Sequence, residues 1–409
     1  MLKNKFLLCV IVALSLIAKK SKFLEQLLPQ KLLKKLPLGW TDEMYWTVLK
    51  SRGQKVYVDI PCQLKQPQTY EPKIDVENTY KLTEAEIQFF YQNGYLGPFT
   101  LMSSTEASLL WQHLQEILKK ESTVYPYSQG AYIIEAQDRF SSKDGVRSNY
   151  ETSLLAMNYR DRHLEDDVLL SLFKHSALTE RCAQLLGSDL LLWRTQFFPK
   201  APGEAGTPLH QASSYLLDNM KAPVVYPPDR SELFQLTCWI ALTKATKENG
   251  CMTVVKGSQK EIHPLKVSRP FDTKSDQDES QRFVTAKIEV DYAVNLEDVI
   301  PIEMDAGQFF IFSERALHGS LCNQTDRWRW AVNGRIVRPD TRLYTQEMLT
   351  KGHSHRVIGV SQICLDNWQA ISIRGQDTFS YNRLREDNSG EDKNIDTGSA
   401  KNLEIAFKI

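Results

Sequence analysis

The order of patterns along the chain predicts an α+β protein whose β part is a sandwich or barrel. Helical periodicity dominates as far as Gly187, and short runs rich in β-branched and aromatic residues dominate after it. Turns containing Gly, Pro or Asp separate those runs. The composition, 42% hydrophobic and 24% charged, is globular and excludes a disordered chain, a collagen-like fibre and a multi-span membrane protein. A length of 409 residues allows one large domain or two ordinary ones.

The N-terminus differs from the body. Residues 1–40 hold eight Lys and one acid, Glu25, so the segment carries +7 while the rest carries −7. The neutral whole gives no long-range attraction to nucleic acid, and no nucleic-acid partner is expected. The apolar run Phe6–Ala18 is shorter than the about 20 residues of a membrane span. It resembles a signal-peptide core, but no small-x-small cleavage site follows. Leu24, Leu28, Leu32 and Leu36 recur every four residues among Lys31, Lys34 and Lys35, and Pro29 interrupts any single helix. Two readings stand: a basic amphipathic extension that contacts a membrane surface or a partner, or helices packed on the main domain.

Residues 41–80, rich in Pro and polar residues, read as a connecting segment, and 81–380 as the main domain. There, Thr83 followed by Glu86 is a capping box that opens a helix closing at Asn93-Gly94. A second helix spans "STEASLLWQHLQEILKK", and a third "DDVLLSLFKHSALTERCAQLLG", ending at Gly187. Strands follow at "DLLLWRTQFF", "ELFQLTCWIALT", "CMTVVKGS", "GQFFIFSE" and "WRWAVNGRIVR". Residues 381–409 form a polar C-terminal tail, most polar over 386–401. Seven Cys, widely spaced and without C-x-x-C, argue against a disulfide framework and a thiolate zinc site. A reduced, cytoplasmic interior is expected, with membrane association only through residues 1–40.

Three pieces of the strand-rich half carry chemistry. They are "PKAPGEAGTPLHQASSY" around His210, "TCWIALTKATKENGCMTVVKGSQK", and "GQFFIFSERALHGSLCNQTDRWRWAVNGR" around His318. A lone His at a strand end is ordinarily a hydrogen-bonded structural residue, and His113, His163, His175, His263, His353 and His355 are read that way. The His353-x-His355 pair has no matching partner in the strand core and is discounted as a metal fragment.

Taken in order, His210, Trp239-Ile240-Ala241-Leu242, Glu248-Asn249-Gly250, Gly257-Ser258, His318-Gly319-Ser320 and Arg329 resemble the pattern of the phytanoyl-CoA dioxygenase family over residues 82–340. The resemblance implies a double-stranded β-helix, a jelly-roll or cupin-like barrel, with Fe(II), 2-oxoglutarate and O₂ as cofactors. It implies that His210 and His318 ligate the metal. Fe(II) takes two imidazoles and an oxygen ligand on one face and leaves positions for 2-oxoglutarate and O₂. The family's Arg, eleven residues after the second His, is Arg329 here and holds the distal carboxylate with a two-point fork. Strand alternation puts Arg327 on the same face as a reserve. Ser320 and Trp239 match positions that line the cosubstrate pocket.

The sequence departs from the family at the third ligand. The family's H-x-D is His210-Gln211-Ala212, and alanine coordinates nothing. Glu204 and Asp218 stand at the wrong offset to substitute. The family includes halogenases with H-x-A or H-x-G, in which chloride takes the position that the carboxylate leaves. The resemblance therefore implies a chlorinase acting on an unactivated aliphatic C–H of a small-molecule or carrier-protein-tethered acyl substrate in specialised metabolism. A hydroxylase and a metal-free barrel scaffold are the alternatives.

Overall fold

The computed structural model describes residues 2–29, 38–57, 59–126, 157–211, 223–267, 288–355 and 360–385. Ala212, Asp218 and the 386–401 stretch lie outside these residues.

Two antiparallel sheets form the centre. Their strands are β1 (Tyr95–Thr100), β2 (Leu190–Phe197), β3 (Thr207–His210), β4 (Gln235–Ala241), β5 (Met252–Val255), β6 (Val299–Ile302), β7 (Gln308–Ser313), β8 (His318–Ser320), β9 (Ala331–Val337) and β10 (Ile371–Arg374). The larger sheet runs β10-β2-β9-β4-β7-β1 and the smaller β6-β5-β8-β3. They enclose Trp239, Ala241, Phe310, Phe312 and Ala331 from the larger sheet and Met252, Val254 and Ile302 from the smaller. Among the described residues no ladder joins the two sheets, so the arrangement is α+β with two facing sheets, and a closed barrel is not seen.

Among the described residues seven α-helices precede β2, and the last four of them cover the outer face of the larger sheet. The early ones are α1 (Leu2–Lys20), α2 (Lys22–Leu27), α3 (Asp42–Lys50), α4 (Glu84–Asn93) and α5 (Ser104–Lys119). They are followed by α6 (Asp167–Lys174) and α7 (Ser176–Leu186). Phe90, Leu110, Leu114, Phe173 and Leu178 pack on Leu192, Leu236, Ile240, Ile311 and Ile336. The capping box at Thr83 and Glu86 is present, and Gly94 ends α4 in the left-handed region at φ 86°.

The expected third helix is two. His175 adopts extended backbone and its Nδ1 accepts the Ala177 N–H at 3.0 Å, which starts α7 in a new direction. The segment read as a connector holds α3, capped by Thr41. Its Met44, Tyr45 and Val48 bury with Val12 and Leu16 of α1 in a separate small core. One side of α1 thus packs, while Phe6, Leu7, Val10, Leu14 and Ile17 stay exposed. No helix among the described residues is long and apolar enough to cross a membrane. All seven Cys are free thiols.

Candidate active site

His210 ends β3 and His318 begins β8, and the two are direct partners in the antiparallel ladder. Opposed residues of such a pair project to the same side, so two imidazoles far apart in sequence become neighbours, with ring centroids 4.3 Å apart. Gly319 permits this approach: a Cβ there would lie 2.5 Å from the Thr207 carbonyl oxygen. Ser320 Oγ donates to Thr207 Oγ1 at 2.9 Å and accepts the Thr207 N–H at 3.2 Å, fastening the same strand pair.

Each ring places Nδ1 against a backbone carbonyl two residues back, Pro208 at 2.9 Å and Ala316 at 2.8 Å. A carbonyl only accepts, so Nδ1 carries the proton and Nε2 keeps its lone pair for a metal. Burial, and then the neighbouring His210 ring, hold His318 well below the ordinary imidazole range. His210 shifts the same way although its strand faces solvent; the enclosed His318 is the one that burial keeps neutral. Neutral imidazole is the ligating form.

Arg329 is 3% exposed. Its Nη1 donates to the Phe198 carbonyl at 3.1 Å and its Nη2 to the Gly250 carbonyl at 2.8 Å. Its guanidinium carbon lies 5.2 Å from the Trp239 ring centre. Gly250 holds φ 84° and sits against the Leu321 carbonyl oxygen, so the Asn249-Gly250 turn needs glycine to bring that carbonyl to Arg329. Two of five guanidinium N–H groups are bound, and Nε has no partner. Burial pushes Arg329 down to about 10, which leaves it charged at neutral pH.

Register places Trp239 opposite Asn333 and Thr237 opposite Arg335 on one inner face. Trp239 Nε1, Asn333 Oδ1 and Thr237 Oγ1 are buried without a hydrogen-bond partner. Buried polar atoms are ordinarily paired, and their concentration beside a cation fits a polar, anionic cosubstrate such as 2-oxoglutarate.

Arg327 does not share the site. Its side chain is 89% exposed and pairs with Asp326, because the strand begins only at Ala331 and alternation does not extend back to 327. Glu204 is engaged elsewhere: its carboxylate accepts the Ala201 N–H at 2.8 Å and faces Lys200. Among the described residues no group of three or more His, Cys, Asp or Glu could hold a metal.

The family model of phytanoyl-CoA dioxygenase matches residues 90–331, a span that includes both histidines and Arg329. The chain belongs to the phytanoyl-CoA dioxygenase family. This is a family of Fe(II)- and 2-oxoglutarate-dependent oxygenases, and both groups fit the residues present. A probable phytanoyl-CoA dioxygenase of Caenorhabditis elegans is 23% identical over 303 residues, covering 68% of this chain and 85% of that one. The dioxygenase lolE1 of Epichloe uncinata is 29% identical over 178 residues, covering 42% of this chain and 55% of that one. The solved structure of CytC3 with Fe(II) and alpha-ketoglutarate shares the fold, with a TM-score of 0.53 at 24% identity, covering 75% of this chain and 93% of that one.

The other histidines behave variously. His113 meets Asp166, His163 meets Thr195, and His263 meets the Ser258 carbonyl. His353 differs from expectation: it lies in a strand, is buried, and neither ring nitrogen has a partner. Arg160, also buried and with its Nε and Nη1 unpartnered, was not singled out in the sequence.

Proposed function

We propose that this protein is an Fe(II)- and 2-oxoglutarate-dependent halogenase, a chlorinase of an unactivated aliphatic C–H in specialised metabolism, on a double-stranded β-helix. Its substrate is a small molecule or an acyl chain tethered to a carrier protein. The observation that carries this reading is Ala212 in a set that otherwise keeps His210, His318, Ser320 and Arg329. When bound, the iron with 2-oxoglutarate and O₂ supplies the oxidising power that removes a hydrogen atom from the substrate carbon.

The chain's own residues bind, orient and exclude water. The Nε2 lone pairs of His210 and His318 hold the metal. Arg329 takes the distal carboxylate of 2-oxoglutarate with its remaining N–H groups, and Trp239 Nε1 and Asn333 lie close by. Gln211 supports the register. Its side chain turns away to donate to the Arg315 carbonyl at 2.6 Å and accept the His263 N–H at 2.9 Å. In the family pattern the carboxylate ligand falls at residue 212. A methyl group there leaves a ligand position, and one chloride in place of one carboxylate preserves the charge of the site. Phe310 and Phe312 line the enclosed space, with Phe312 at 4.8 Å from the His318 ring.

Product mass spectrometry with and without chloride tests this. Chlorinated product is expected only with chloride, and brominated product with bromide. Ala212→Gly should retain halogenation and Ala212→Asp should abolish it. Hydroxylation that is equal with and without chloride would assign the hydroxylase instead.

We also propose that the exposed apolar side of α1, in a segment 1–40 that holds eight Lys, rests on an anionic membrane surface.

A further inference from the structure

We propose that Arg160, with Arg194 and His353 beside it, receives the anionic end of the substrate, a carboxylate or a phosphate. This rests on the reading of the site as an oxygenase centre and names the class of molecule it takes.

Arg160 forms an isolated antiparallel bridge with Gln196, which pairs with Asn333, which pairs with Trp239. Opposed residues share a face, so Arg160 extends the inner row that holds the cosubstrate residues. The adjoining inner row contains Arg194, Arg335 and Thr237. The arginines therefore share the inner face of the larger sheet with the cosubstrate residues.

Arg160 is 4% exposed, and its Nε and Nη1 have no hydrogen-bond partner. His353 is 6% exposed, both its ring nitrogens are without a partner, and its ring lies 5.3 Å from that of Tyr344. Among the described residues, the carboxylate of this cluster, Asp161, is already engaged. It accepts from the Tyr125 hydroxyl and from the Thr195 N–H at 2.7 Å, and it lies 4.0 Å from Arg194. Arg194 in turn donates to the Tyr344 hydroxyl. Burial and the charge of Arg194 both weigh against the cation of Arg160. A guanidinium does not shed its proton to escape this, so an anion is the species that completes the cluster.

A purely structural role predicts a different picture, and Arg162 supplies it two residues away. That side chain is equally enclosed, yet its Nη1 and Nη2 donate to the Lys120, Asn158 and Ile117 carbonyls, and it pairs with Glu165 at 2.5 Å. Arg160 has a comparable burial, and its Nη1 lacks such a partner.

The test is calorimetric titration of the full chain, loaded anaerobically with Fe(II) and 2-oxoglutarate, with octanoate, octyl phosphate and neutral octanamide. At least one anion should bind tenfold or more tightly than octanamide, and the better of the two tells carboxylate from phosphate. Arg160→Met should remove that preference, Arg160→Lys should keep part of it, and both should bind 2-oxoglutarate within about twofold of the unmutated protein. Octanamide binding as well as the anions, or no binding by any of the three, overturns the proposal without recourse to a variant. So does an Arg160→Met protein that loses 2-oxoglutarate affinity and keeps the anion preference, since Arg160 would then belong to the cosubstrate anchor. Failure of 2-oxoglutarate to bind the unmutated protein would sink the oxygenase reading instead. The anion preference would then be read on the protein without it.

Discussion

At the scale of single residues, burial decides which groups titrate and in which direction. His163 is pushed down to about 4 and His353 to about 3, burial being the largest cause in both. Unfolded, each takes up a proton near 6.5; folded, each stays neutral. Their contribution to stability is therefore full above 6.5 and declines as pH falls toward 4 and 3. Glu314 has the opposite sign. Burial raises its carboxyl to about 7, so its contribution is full below about 4.5 and is lost as pH rises through 7. Glu314→Gln should accordingly raise the melting temperature at pH 8 and change it little at pH 5. A melting temperature at pH 8 equal to or below that of the unmutated protein would show that Glu314 is not ionised in a low-dielectric setting. At this scale the sequence was informative where the family pattern named a residue, as with His210, His318 and Arg329. It was silent on Arg160 and read His353 as an ordinary hydrogen-bonded residue, because the environment of both depends on strands far away in the chain.

At the scale of elements, the β3–β8 pair is the device that makes the site. Its two histidines are opposed because the strands approach as closely as a glycine allows. Gly319→Ala would put a methyl carbon on the Thr207 carbonyl oxygen, and backbone on one side or the other must move. Fe(II) affinity should fall at least tenfold although both ligands remain, and an equilibrium Fe(II) titration of that variant reads it. Unchanged affinity would mean that the ligand spacing is set by something other than this contact. The five strands expected in the second half are present because their apolar and aromatic residues are buried. The strand Tyr95–Thr100 was not among those expected; it holds Gly97 and Pro98, which weaken a strand pattern, and it is an edge strand, where proline is tolerated. The break at His175 was hidden for another reason: apolar periodicity continues across it while the backbone does not.

At the scale of the whole molecule, the chain is a two-sheet centre with helices on one face and a small N-terminal core of its own. Because Val12 and Leu16 bury with Met44, Tyr45 and Val48 rather than with the sheets, residues 1–40 are separable from the site. A protein lacking them should still bind 2-oxoglutarate and should lose binding to vesicles containing anionic lipid. Equal vesicle binding with and without the segment would contradict the membrane proposal. The +7 charge and the leucine spacing were legible in the sequence. The packing of one side of α1 on α3 was not, because it depends on a helix inside a segment whose composition reads as a connector. The central claim, that His210, His318 and Arg329 assemble an Fe(II) and 2-oxoglutarate site, is met most directly by anaerobic addition of 2-oxoglutarate to the Fe(II)-loaded protein. A visible charge-transfer band should appear and saturate at one 2-oxoglutarate per chain. Arg329→Ala, which removes a buried charge-assisted contact of about 2–5 kcal/mol, should need at least tenfold more 2-oxoglutarate to reach it. Absence of the band in the unmutated protein, or an Arg329→Ala titration that overlays it, would contradict the claim.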